Sequence, residues 1–306
     1  MHPLKESAVE AEVTHRANLR NQRPALTALL AGAVLIGLAP IFVRLADVGP
    51  TAAAFWRVAL AAPVLFVLWW PRRARHAASS ARLPWLWLAG AFFAADLAAW
   101  HQSIQLTSVA NATLLANLAP LFVTGASVWL FGEKVTREFL LGLLLALCGA
   151  LLLTADSLTI GRSSVLGDLL GVLTALFYAG YQLSVIRLRR VASVVEIMWW
   201  STLATAVLLL PVTLMTGETL WPQSAHGWSI LLGLALLPHV AGQGLIAYAM
   251  AHLPASFSSV SLLVQPVAAA AFAWMLLAET IGAVQALGAA VVLGGILLCR
   301  RAQTRE

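Results

Sequence analysis

The chain has 306 residues, of which 60% are hydrophobic and 10% charged, and a formal net charge of +6. Soluble domains carry charge on about a quarter of their residues, so this composition excludes an ordinary water-soluble globule. A surplus of Lys and Arg would suit a nucleic-acid partner in a soluble protein, but here it is gathered into short breaks between apolar runs, which excludes that reading.

Residues 1–24 form a polar tail of mixed charge, without the apolar core and small-residue cleavage site of a signal peptide. Ten apolar runs follow, at 25–43, 51–70, 84–104, 108–131, 138–155, 166–186, 193–215, 228–250, 255–277 and 281–299, and residues 301–306 form a closing tail. Runs of about 20 residues cross a bilayer core of roughly 30 Å. Backbone groups in lipid must be satisfied within their own segment, so each run is expected to be a helix. The fold class is therefore all-α and integral to a membrane. With the N-terminus on the cytoplasmic side, 16 of the 19 Lys and Arg residues fall in cytoplasmic segments. Two, Arg44 and Arg162, fall outside, and Arg57 lies within a span. Basic residues concentrate on the cytoplasmic side of membrane proteins, so ten spans with both termini cytoplasmic, in a cytoplasmic (inner) membrane, is the expected topology.

Span 2 contains Arg57 and span 3 contains Asp96. A charge near the bilayer centre costs about 2.5–3.5 kcal/mol even on an insertion scale, so neither side chain should face lipid. Helical rise places both roughly 10–13 Å beneath the outer surface. Opposite charges at one depth suggest an ion pair that clamps the two spans. They also suit a coupling or substrate-binding carboxylate released as the bundle moves. His101, one turn from Gln105, reads as a wall residue, and its unperturbed pKa of about 6.5 leaves a proton relay open.

Span 4 carries a polar stripe. Thr113, Asn117, Thr124 and Ser127, with Pro120 among them, lie on one helical face. Pro120 cannot donate a backbone hydrogen bond, so a kink is expected there. In span 9, Ser258, Ser261 and Gln265 precede Pro266 similarly. Two kinked, polar-faced helices suit a central cavity; the alternative is that these groups merely join helices. Span 6 adds Thr174, Tyr178, Tyr181 and Gln182, and span 8 adds His239 and Gln243. Glu133 and Glu279 stand at turns into the next helix, where a carboxylate can accept from free amides, and read as structural caps. Spans 5 and 10 are the least polar. Gly142, Ala146, Gly149 and Ala150, and Ala286, Ala290 and Gly294, offer small-residue faces for scaffold packing or a homodimer contact. Cys148 and Cys299 lie at different depths and read as inert buried thiols. Most of the twelve tryptophans read as interfacial belts, whereas Trp56 and Trp100 neighbour the buried charges.

The chain also repeats itself. Pro120, Leu130, Glu133, Gly142 and Gly149 recur 146 positions later as Pro266, Leu276, Glu279, Gly288 and Gly295. Each half, 25–155 and 166–300, holds five spans, and an odd number inverts the second half relative to the first. The loops are short, a Walker-type phosphate loop is missing from the sequence, and no cofactor or metal is expected.

The stretch from Phe55-Trp56-Arg57 through LTSVANATLLANLAPLFV to FGEKVT, with its echo LPASFSSVSLLVQPVAAAAFAWMLLAET, resembles the two EamA repeats of the drug/metabolite transporter superfamily. The resemblance implies ten helices around a cavity open to one side at a time. It also implies carriage of small metabolites such as amino acids or of amphiphilic drugs. Spans 1–4 and 6–9 would line the cavity, and 5 and 10 would support it. Asp96 and His101 belong to no general motif of that family. The expected function is secondary transport of a small organic metabolite by alternating access, in the export direction. Proton antiport would suit the chain as well as facilitated exchange. The competing classes are a membrane scaffold or receptor and an intramembrane enzyme. The polar stripes weigh against the first. No metal cluster or nucleophile–base pair is spaced for the second.

Overall fold

The computed structural model describes residues 22–73, 82–107, 109–155 and 165–304. The tail through residue 21, Arg75, Arg162 and Arg305 lie outside the described residues. Ten helices long and apolar enough to span a bilayer are α1 (Gln22–Leu45), α2 (Pro50–Arg72), α3 (Leu83–Leu106), α4 (Asn111–Phe131) and α5 (Arg137–Thr154), then α6 (Val165–Leu188), α7 (Val194–Met215), α8 (Ala225–Ala249), α9 (Ala255–Leu277) and α10 (Ala283–Thr304). Where the connections are described, short turns make consecutive helices antiparallel. α1 begins and α10 ends on one face, termed near; the other is the far face.

Local chemistry sets the helix ends. The hydroxyls of Thr136, Ser193 and Ser224 accept from the amides of Phe139, Glu196 and Gly227, capping α5, α7 and α8. α4 and α9 end alike. Gly132 and Ala278, 146 positions apart, both turn left-handed, at φ +67° and +53°. The amides of Glu133 and Glu279 each return to a carbonyl six residues back, Ser127 and Ala273, at 3.3 Å. The repeated glutamates are thus alike in backbone, and their side chains diverge. Glu133 accepts from the start of α9 rather than from its own turn. Glu279 pairs with Arg44 at the end of α1. Glu133 thus accepts from free amides as a cap does, at the start of α9, while Thr136 caps α5. The capping expectation is corrected for Glu279, whose carboxylate meets Arg44, with Gln285 Oε1 accepting from Gly282 N ahead of α10. Both carboxylates tie one repeat to the other.

α5 and α10 pack on each other through glycine. A methyl group on Gly142 would meet the Gly295 carbonyl at 2.8 Å, and one on Gly149 would meet the Gly288 carbonyl at 2.8 Å. Rising numbers on α5 face falling numbers on α10, so the two run antiparallel. Shifting by 146 converts the pair Gly142/Gly295 into Gly288/Gly149, the exchange expected of an inverted repeat. The contact face of α10 is Gly288, Val292, Gly295 and Cys299, not Ala286, Ala290 and Gly294; Gly294 has nothing within 4 Å of an added methyl. Cys299 is buried and donates to the Phe139 carbonyl at 3.3 Å, whereas Cys148 is exposed on the bundle surface, so only one of the two thiols is buried.

Three helices are interrupted ahead of a proline. α1 breaks at Leu38 before Pro40. α4 divides into Val109–Ala116 and Ala119–Phe131, and α9 into Ala255–Ser261 and Val264–Leu277. At these breaks the bonding tightens to i→i−3, as in Leu118 N to Leu115 O and Leu263 N to Val260 O. α8 instead widens into a π segment, Ala235–Gln243, around Pro238. The four irregular segments all border the central cavity.

Candidate functional site

A cavity of about 440 Å³ lies among α1–α6, α8 and α9, within the range of small-molecule sites. Its walls come from the middle and far halves of the helices, reaching Val43 on α1 and Thr154 on α5. Two regular faces build most of it. Phe93, Asp96, Leu97, Trp100 and His101 follow helical spacing along α3, and Thr174, Tyr178 and Gln182 follow it along α6. The broken segments supply Thr113, Asn117 and Pro120 from α4 and Gln265 and Pro266 from α9; Gln243 comes from the π segment of α8.

Arg57 and Asp96 both line this cavity, at 9% and 8% exposure. No ion pair at contact distance joins them among the described residues, and Arg57 Nε is buried without a hydrogen-bond partner. The Arg57 guanidinium sits 5.7 Å from the centroid of Phe93, a cation–π distance. A ring file continues from there: Phe93 stacks on Tyr181 at 4.8 Å, and Tyr181 on Tyr178 at 6.3 Å. Gln265 Nε2 donates to Tyr178 Oη at 3.4 Å, which fixes the far end of the file.

Tyr181, His239 and Thr124 do not reach the wall. His239 stacks behind Phe93 at 5.8 Å and bonds Thr202 Oγ1 through Nε2 at 2.8 Å. Tyr181 lies in the same second layer, where it buttresses the ring that faces Arg57. Thr124 sits one turn past Pro120, buried. His101 does reach the wall; its Nδ1 is held by the Leu97 carbonyl at 2.6 Å and its ring meets Trp100 edge-on. Trp56 instead donates to the Leu220 carbonyl at 2.7 Å and packs with Trp221 and Trp228 at the far face, while Trp100 lines the cavity.

Phe93 was not readable as a wall residue, because one phenylalanine in an apolar run carries no distinguishing signal beyond standing one turn before Asp96. Gln182 is more telling. It is 1% exposed, lines the cavity, and neither amide atom has a partner. Asn117 Nδ2 is likewise unpartnered. Buried polar groups are nearly always satisfied, so such groups around a cavity mark where water or a ligand bonds. The site also ignores the internal symmetry of the fold. Arg57, Asp96 and Gln182 correspond by the 146-residue shift to Leu203, Gly242 and Ile36. Two repeats of one family pattern thus enclose a polar and strongly asymmetric interior.

The EamA-like transporter family matches residues 23–155 and 165–301, one repeat in each half. An uncharacterized transporter of Archaeoglobus fulgidus is 29% identical over 205 residues, covering 67% of this chain and 72% of its own. The pseudopaline exporter CntI of Pseudomonas aeruginosa is 25% identical over 244 residues, covering 80% and 81%. A solved crystal structure superposes with a TM-score of 0.78 at 18% identity, over 92% of this chain and 98% of its own, a likeness of fold alone.

Proposed function

Since the chain belongs to the EamA-like transporter family, we propose that it carries a small zwitterionic metabolite, an amino acid or close analogue, across the cytoplasmic membrane by alternating access. The observation that carries this reading is one cavity lined by a buried arginine and a buried aspartate that are not bonded to each other. Arg57 is suited to a carboxylate and Asp96 to an ammonium group. Tyr178, Gln182, Gln243 and Gln265 offer neutral hydrogen bonds, and Phe93 and Trp100 offer apolar surface to the remainder of the substrate. A polyanion would meet too little positive charge, and a simple hydrocarbon would leave both charges unsatisfied.

Export is the direction we favour, because a relative that aligns over 80% of this chain is named an exporter. The near face, which carries Arg72, Arg73, Lys134, Arg137 and the Arg187–Arg190 cluster, is the cytoplasmic one by the positive-inside bias. The far-half position of the cavity then corresponds to an outward-open state. Asp96, the acid of the cavity, is the group through which proton coupling would run.

Counterflow tests this. Purified protein in sealed vesicles preloaded with unlabelled amino acid should accumulate the labelled form from a panel of zwitterions. Arg57→Gln and Asp96→Asn should each lower the initial rate, since removing one partner of a buried charge contact costs about 2–3 kcal/mol, or roughly 50-fold. Wild-type rates in both variants would remove these residues from substrate binding. A panel in which nothing moves in the wild type would overturn the substrate class.

A further inference from the structure

We propose that Glu133 latches the near side of the transport path shut, and that the path continues below the cavity between α4, α6 and the first half of α9. This rests on the transport reading and adds the route and its gate. The Glu133 carboxylate accepts three hydrogen bonds from the start of α9: Ala255 N at 2.5 Å, Ser256 N at 3.1 Å and Ser256 Oγ at 2.6 Å. It comes from the first repeat and holds the second. The segment it holds, Ala255–Ser261, is joined to the rest of α9 only through the break at Leu262–Leu263, where the regular ladder is interrupted. A short rod fixed at one end by a charged contact and hinged at the other is a gate.

Two further observations place the path there. Thr124 on α4 and Ser258 and Ser261 on α9 are buried, lie outside the cavity wall, and have hydroxyls without partners. The α4, α6 and α9 segments that carry them and Gln182 pack together. A dry apolar seam would need no such groups; a seam that wets periodically requires them. On the near side, beyond these residues, a second hollow of about 330 Å³ is bordered by Glu133, Phe131, Arg189, Arg190 and Ala255. Gln182 thus forms the floor of the far cavity, the three hydroxyls line the closed stretch, and the near hollow receives the path when α9 swings. Arg189 and Arg190 give that hollow the charge to meet a carboxylate arriving from the cytoplasm.

The test needs no substrate. Ser258→Cys is introduced into the full chain, reconstituted in vesicles, and treated with a membrane-impermeant thiol reagent on the near face, with the parent chain as baseline. Labelling should be slow with Glu133 intact and about tenfold faster with Glu133→Gln, because a charge-assisted contact is weakened. Ser256→Ala, which removes one donor and leaves the carboxylate, should give a smaller rise and decides the matter if Glu133→Gln does not fold. Unchanged labelling in folded Ser256→Ala and Glu133→Gln proteins overturns the latch. If labelling responds but no zwitterion undergoes counterflow, the latch stands and the substrate class falls. If zwitterions move and labelling stays flat, the latch alone falls.

Discussion

Arg57 and Asp96 keep their value by being held apart. A direct pair would satisfy each charge and leave a ligand little to gain. Here both border a cavity of about 440 Å³, where a ligand can meet them. Gln182 stands in the same position in neutral form, and its strain is measurable. Gln182→Leu should keep or slightly raise thermal stability, because an unsatisfied buried amide is removed, while weakening substrate affinity about tenfold. A loss of stability with unchanged affinity would make Gln182 a packing residue instead. The two charges were legible in the sequence because nothing but function or pairing explains an ionised group within a lipid-length apolar run. Phe93 and the rear position of Tyr181 and His239 were not. Helical spacing places a residue on a face, but the neighbouring ring decides whether it stands in the first layer or behind it.

Prolines illustrate the same limit among the helices. Pro120 and Pro266 announce irregular helices, since each deletes a backbone donor, and α4 and α9 do break just ahead of them. Yet Pro63 and Pro211 sit inside unbroken α2 and α7, and Pro238 widens α8 into a π segment. The missing donor is common to all; packing around it chooses between break, bulge and continuity. The α5–α10 contact shows the corresponding ambiguity for small residues. α10 has two small faces, and the sequence pattern cannot say which of them meets Gly142 and Gly149. Adjacent glycines now provide a test. A methyl on Gly295 would lie 2.5 Å from Ala146 N, whereas one on Gly294 has nothing within 4 Å. Gly295→Ala should therefore destabilise by about 1–3 kcal/mol, read as a lower thermal unfolding midpoint in detergent. Gly294→Ala should be neutral or mildly stabilising, since alanine suits a helix interior better. Equal effects would mean that the two helices meet on another face.

For the whole molecule, the duplicated design was visible in a proline, a glutamate and glycines that keep their spacing, because those residue types answer to backbone geometry. What the halves do to each other was not visible. Asp47 accepts from Gln223 N and Ser224 Oγ, Glu218 from Thr51 and Ala52 N, and Asp168 from Thr107 and Asn111 side chains. Each of these acids reaches from one repeat to a helix start or turn of the other. Asp47, Glu218 and Asp168 do so at the far face and Glu133 at the near face. Their partners lie more than fifty residues away, beyond any local pattern. A transporter built this way holds its halves by carboxylate contacts at the rims and offers an uneven pair of charges at the seam. Under the proposed transport reading, that asymmetry is what would orient the cargo.

The central claim, that Arg57 reads a carboxylate and Asp96 an ammonium group on one substrate, is tested most directly by binding of a transported amino acid and its two masked forms. In the wild type the methyl ester and the N-acetyl derivative should each bind more weakly than the free amino acid. In Arg57→Gln the ester should lose no more than the parent compound, and in Asp96→Asn the same should hold for the acetyl form. If both masked forms bind the wild type as tightly as the free amino acid, the two charges do not read the substrate and the account is wrong.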